Sequence, residues 1–389
     1  MRFAASRRTA PVLLGLAAVA AAATAVLPAS ASASTHGPPV VGHVYVNDNT
    51  AGANTIGAFD RHADGTLTPE AGSPFAAGGA GTGAGLASQG ALQISPDGRF
   101  LIAADAGSNQ ISVLRISGNG SLKLVQNGVV PSGGVLPVSI AIHDDLVYVA
   151  NAGSGGSDYT GFLLRPNGRL APVAGSTVAL PDGSQPGDVL FSGDGAKLVG
   201  TRVGTSLIDS FTVGSGGLLT AAPGSPFPAQ GLGPFGSEFR PTNPGQLFVS
   251  NAHNTGTGTV SAFSDSADGT LASIGSSPFA DLQTAPCWVE ISHDGRFLFT
   301  VNTGSGTISR YSIAPGGALT LLGSTAVKAS GGVGAVDARL SPDGRTLYVD
   351  ESKIGAVGAF AVSGGNLTEL AASPVSLPAG ATPAGIVVT

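Results

Sequence analysis

The stretch "ISPDGRFLIAAD" at residues 94–105 returns as "ISHDGRFLFTVN" at 291–302 and as "LSPDGRTLYVDE" at 340–351. A second motif recurs between these copies. "DGTL", "NGSL", "NGRL", "GGLL", "DGTL", "GGAL" and "GGNL" align on Leu67, Leu122, Leu170, Leu219, Leu271, Leu319 and Leu367, in steps of 55, 48, 49, 52, 48 and 48 residues. A unit of this size cannot bury its apolar face alone, so the period implies stacked units, as in a solenoid or propeller.

Each unit holds short β-branched and aromatic runs separated by Asp-Gly, Asn-Gly or Gly-Gly, the dipeptides that supply positive φ in tight hairpins. In the second unit "ALQIS" reads as strand A, Pro96 to Gly98 as a turn, "RFLIAA" as strand B, "QISVLRI" as strand C, Asn119-Gly120 as a turn and "SLKLV" as strand D. Four antiparallel strands make a propeller blade. The 60 glycines and 26 prolines would suggest disorder in a chain without a period; here they read as turns. The first unit begins at "HVYVND", which matches strand B, and the chain finishes with "PAGIVVT", which matches strand A. The expected fold is therefore all-β: a seven-bladed β-propeller of four-stranded antiparallel blades, its ring closed by the C-terminal strand completing the first blade.

Residues 1–34 read as an export signal: Arg2, Arg7 and Arg8, an apolar run from Pro11 to Leu27, then small residues with Ala-x-Ala sites ending at Ala31 or Ala33. The Arg pair in "SRRTAPVLLG" fits twin-arginine export and ordinary secretion equally. The mature chain, residues 35–389, is expected as a single secreted domain. Removing those three cations from 18 leaves 15 against 24 acids, a formal net charge of −9, which argues against nucleic acid and anionic membranes. A single cysteine, Cys287, excludes an internal disulfide, and a buried inert thiol is expected there. The expectation is a monomer, not held at a membrane after cleavage.

Alternating strand direction puts the A–B and C–D turns on one face and the B–C and D–A connections on the other. The near-identical A–B turns read as structural. At the end of strand B the aligned residues are Asp48, Asp105, Asn151, Arg202, Asn251, Asn302 and Glu351. They could ring the tunnel mouth or simply serve the B–C turns; Arg202 and Glu351 fit the second role least and are ligand-binding candidates. The D–A side adds Gln89, Gln185, Asp188, Glu238, Cys287, Trp288, Glu290, Asp337 and Arg339. Of these, Glu238, Glu290 and Arg339 are candidate catalytic groups, and Trp288 and Asp337 candidate ligand contacts; charge pairing within the wall and packing of the lone tryptophan are the competing readings. His36, His43, His62, His143, His253 and His293 are scattered without zinc-ligand spacing, and no nucleophile elbow, phosphate loop or calcium loop is written. No metal and no cofactor are expected.

The repeat "LFVSNAHNTGTGTVSAFSDSADGTLASIGSSPF" at 247–279, the "SPDGRFL" hairpins and the recurring "GSPF" at 72–75 and 224–227 resemble the bacterial lactonase-type seven-bladed propellers, the group around 6-phosphogluconolactonase and the carboxymuconate-lactonising enzyme. The resemblance covers the mature chain. It implies His residues before the inner strand of an early blade, which fall here near Ser88 and Gly90, and an Arg-His pair, which falls on Phe235 and Gly236. The implied Glu falls near Trp288, and the implied Arg on Thr303. The lactonase side chains are thus missing by alignment. Two functions stay open: a binding module acting through the B–C and D–A face on a small molecule or an extracellular protein or carbohydrate, and a lactone hydrolase whose carboxylates activate water.

Overall fold

The computed structural model describes residues 9–10, 37–253, 256–328 and 334–389, of which Pro38–Thr389 form one compact unit. The expected export signal lies outside the described residues except for 9–10. Seven antiparallel sheets run in sequence, each with a four-strand path. The second blade comprises Leu92–Ile94, Phe100–Asp105, Gln110–Ile116 and Leu122–Pro131, against the strands A to D read from sequence. The first blade takes its innermost strand from the other end of the chain: Ile386–Val388 pairs antiparallel with Val40–Asn47, joining Val44 to Val388 and Val46 to Ile386.

The repeated sentence is a hydrogen-bonded A–B turn. The Ser95 hydroxyl donates to Asp97 Oδ1 at 2.6 Å and accepts from the Phe100 amide at 2.9 Å, while Asp97 Oδ1 also accepts from the Arg99 amide. Gly98 turns the chain with φ 69°, a conformation that strains any residue with a Cβ. Ser192, Ser292 and Ser341 open the same turn in later blades. The serine of "GSPF", and its counterpart in "SSPF" at 276–279 and "ASPV" at 372–375, has an equally local task. Strand D bulges away there, and Ser73, Ser225, Ser277 and Ser373 each accept the strand C amide left without a ladder partner, those of Ala58, Ser210, Ala262 and Ala359.

Blades adhere through alternating apolar faces. Val44, Tyr45, Phe59, Phe100, Tyr148, Phe162, Phe248, Phe299, Tyr348 and Phe360 are all essentially buried, each contributing about 1.5–3 kcal/mol of transfer free energy. Three tyrosines also latch onto the C–D turn of the next blade, donating to the carbonyls of Gly120, Gly217 and Gly65 from Tyr45, Tyr148 and Tyr348. The buried phenol thus has a partner, which removes the cost of burying its hydroxyl.

Candidate functional site at the propeller axis

The inner strand of a blade is a sheet edge, and its axis-facing amides need partners. Neighbouring blades supply them. Ser139 accepts from the Val189 amide at 3.1 Å, Asp188 from Ser237 at 2.9 Å, and Glu290 from Leu340 at 2.8 Å. Glu238 takes the Ile291 amide in the same way. The carboxylates on the inner strands are therefore first of all edge caps, each holding the next blade.

Strand register places one residue per blade on a common ring: Gln93, Ala141, Leu190, Glu238, Glu290, Arg339 and Val387, paired with Ile102, Tyr148, Val199, Phe248, Phe299, Tyr348 and Tyr45. The three charged members occupy consecutive blades, so the candidate catalytic residues do come together. Arg339 Nη1 lies 3.1 Å from Glu290 Oε2 and 3.8 Å from Asp337 Oδ1. The Arg339 side chain keeps 22% exposure and that of Glu290 9%, so the guanidinium is not fully sealed from solvent.

Four acids surround this one guanidinium. Burial drives Glu238 well above the ordinary carboxylate range, with the neighbouring Glu290 adding to it. Burial also raises Glu290 and Asp337 while Arg339 opposes the rise, and it pushes Asp188 up to about 7 against its hydrogen bonds from Ser237. Burial works against the Arg339 charge, but Asp337, Glu290, Glu238 and Asp188 outweigh it and hold the guanidinium protonated. Glu238 Oε2 is buried without a hydrogen-bond partner.

On the D–A side of this ring the axis is filled by the chain itself. The segment Ser88–Gln89–Gly90 reaches the inner strands of five other blades. Ser88 Oγ donates to the Val138 carbonyl at 2.7 Å, and the Ile140 amide donates to the Gly90 carbonyl at 3.0 Å. The Gln89 amide donates to Gly187, Gln89 Nε2 to the Ser237 carbonyl at 3.0 Å, and Gln89 Oε1 accepts the Val289 amide at 2.9 Å. The Gly90 amide donates to Asp337 Oδ2 at 3.1 Å, and Trp288 Nε1 donates to the Ser88 carbonyl at 2.5 Å. Gly236 leaves the gap that Gln89 enters: a Cβ there would lie 2.1 Å from Gln89 Oε1. Phe235 packs edge-on against Trp288 at 5.4 Å, and both are about 95% buried, so the tryptophan is a wall element.

The strand B ends do not ring the mouth. Each is buried or nearly so and turns toward strand C of its own blade: Asp48 to Thr55, Asp105 to Ser112, Asn151 to Asp158, Asn251 to Ser261 and Asn302 to Ser309. Arg202 grips Asp209 through two nitrogens at 2.6 and 2.5 Å, and Tyr159 also donates to Asp209, so this guanidinium is committed away from the axis. Glu351 is fully buried, both carboxylate oxygens lack hydrogen-bond partners, and burial, then Glu369, pushes it up to about 7. Cys287 is buried, which pushes its thiol up to about 11, as an inert thiol requires.

Sequence reasoning placed Gln89 on the D–A side but missed that Ser88–Gly90 crosses the axis. The signal was present: the first repeat step is 55 residues, and its D–A connection runs from Ala76 to Leu92, whereas the next blades cross from Ala179 to Pro186 and from Pro228 to Pro234.

A family model described as "Lactonase, 7-bladed beta-propeller" matches residues 52–159 and 238–387. A search among curated proteins finds no significant match. Among solved structures, a candidate 6-phosphogluconolactonase from Bacteroides uniformis superposes with a TM-score of 0.73 at 20% identity, covering 90% of this chain and 100% of that one. One from Bacteroides fragilis gives 0.70 at 20%, covering 90% and 98%. The periplasmic gluconolactonase of Pseudomonas aeruginosa gives 0.70 at 19%, covering 90% and 99%. At these identities the superpositions establish the fold, and the model match, which spans well over half the sequence, establishes the family: the chain belongs to the lactonase seven-bladed β-propellers.

Proposed function

We propose that the mature chain is an exported binding module of this family that does not hydrolyse lactones at its axis and meets a protein partner through its B–C and D–A face. One observation carries the reading. The resemblance puts the family's catalytic side chains at Ser88, Gly90, Phe235 and Gly236, and here those positions form the filled axis in which Gln89 occupies the space a side chain at Gly236 would need. Of the charged groups that remain, Glu290, Asp337 and Arg339 are bound to backbone or to each other. A protein partner is favoured over a sugar because Trp288, the one tryptophan, is buried, while Leu232, Leu282 and Ile354 stand 56%, 64% and 43% exposed on D–A and B–C connections of three consecutive blades.

A second reading, lactone hydrolysis, draws on Glu238. Once ionised, which burial and Glu290 delay to higher pH, its Oε2, buried without a hydrogen-bond partner, would take a proton from water attacking the lactone carbonyl, with Arg339 facing the developing oxyanion. Proton release by the purified chain on sugar and aliphatic lactones, with and without divalent cations, decides between the two. Rates at the buffer background support the binding module. Turnover above background that disappears in Glu238→Gln/Glu290→Gln overturns it.

A further inference from the structure

We propose a divalent-cation site on the blade that closes the ring, with His43, Asp60 and Glu70 as ligands. The three lie on strands B, C and at the end of the first D segment of the first blade, none of them on the inner strands that carry the axial carboxylates. One ligand atom from each falls within 4.8 Å of the other two. His43 Nδ1 is buried and faces Asp60 Oδ1 at 3.3 Å, with no partner other than this carboxylate. In a tetrahedral zinc site with bonds of about 2.0–2.2 Å, ligand atoms stand about 3.4 Å apart, so the imidazole and the first carboxylate already have the separation of a coordination edge. The backbone of Gly120 in the next blade lies against the imidazole, where a Cβ would stand 2.2 Å from Nδ1. That contact fixes the ring.

The repeat provides its own control. His43 pairs across the B–C ladder with Asp60. The corresponding pairs are Phe100 with Arg115, Leu146 with Leu163, Lys197 with Thr212, Gln246 with Ser264, Phe297 with Ser312 and Thr346 with Ala361. Glu70 donates its amide to Ala58, and the residues making the same bond elsewhere are Val173, Ala222, Ile274 and Leu370. None of the corresponding blades needs an imidazole or a carboxylate at these places, so the fold does not require them in the first. Among the described residues, neither Asp60 nor Glu70 pairs with a lysine or arginine. Two adjacent carboxylates and a neutral imidazole form a donor set for a borderline first-row divalent ion such as Zn²⁺ rather than Ca²⁺ or Mg²⁺. The side chains of His43 and Asp60 are 16% and 27% exposed, which leaves room for water to complete the shell.

An ion held there would tie together three strands of the blade whose innermost strand is the chain terminus. His43 is part of that closure, for its backbone exchanges hydrogen bonds with Thr389. Because the unfolded chain does not present the three ligands together, binding would raise the thermal midpoint by linkage.

The experiment titrates metal-free chain with Zn²⁺ by calorimetry, follows the thermal midpoint, and repeats both with Glu70→Leu and His43→Gln. Glu70→Leu installs the residue the seventh blade already carries, and the metal-free midpoint of each variant checks its folding. The expected result is one Zn²⁺ per chain, an upward shift in midpoint, and affinity reduced at least tenfold in both variants. The site is overturned if the chain takes up no Zn²⁺, or if either folded variant binds it with unchanged stoichiometry and affinity.

Discussion

Glu351 allows a direct test of how this fold treats a buried charge. It ends strand B of the seventh blade, fully buried, with neither carboxylate oxygen hydrogen-bonded. Gly358, two residues beyond its ladder partner Ala356, lies beside it, where a Cβ would stand 2.7 Å from Glu351 Oε1, so the glycine makes room for this side chain and for one of equal volume. Burial, reinforced by Glu369, lifts its pKa from 4.5 to about 7. The folded chain therefore holds a proton that the unfolded chain has released between those values. The stability from this group is complete below the unfolded pKa and is lost as pH rises through the folded one. A rise of about 2.5 units corresponds to about 3 kcal/mol, of which about 2.5 kcal/mol falls between pH 5 and pH 8.5. Glu351→Gln keeps the shape and removes the titration. Urea unfolding at the two pH values should show the variant losing about 2.5 kcal/mol less stability than the parent on going to pH 8.5, whatever pH-independent penalty the amide carries. Equal losses in the two chains would refute the reasoning.

Gln89→Ala leaves the Val289 amide and the Ser237 carbonyl without partners, and at about 1–3 kcal/mol for each orphaned group the thermal midpoint should fall by several degrees; an unchanged midpoint would mean the axial segment contributes no stability. Deleting Ile386–Thr389 removes the pairing with Val44–Val46 and uncovers a strand edge in the first blade. Limited proteolysis should then cut first within residues 40–62, and unchanged protection there would refute closure by the terminal strand.

By itself the sequence determined the repeat, the number of blades and the strand that closes the ring. These depend on local chemistry: Ser95, Asp97 and Gly98 make their turn with hydrogen bonds spanning a few residues, and the Leu67-to-Leu367 series shows where each blade repeats. It also grouped Glu238, Glu290 and Arg339 on the D–A side, because each lies on or near the inner strand of its repeat, and the strand register then puts them on one ring. What those charges do was decided only in three dimensions. Whether Glu290 serves as a free base or a cap depends on the Leu340 amide, 50 residues away, and whether the axis is open depends on Gln89 meeting Val289, 200 residues away. The closeness of His43, Asp60 and Glu70 is likewise a product of strand pairing, since no fixed spacing joins them. Turns are made by neighbours in the chain and can be read from it; an axis is made by seven inner strands at once, and its occupancy depends on which side chain reaches each unpaired amide.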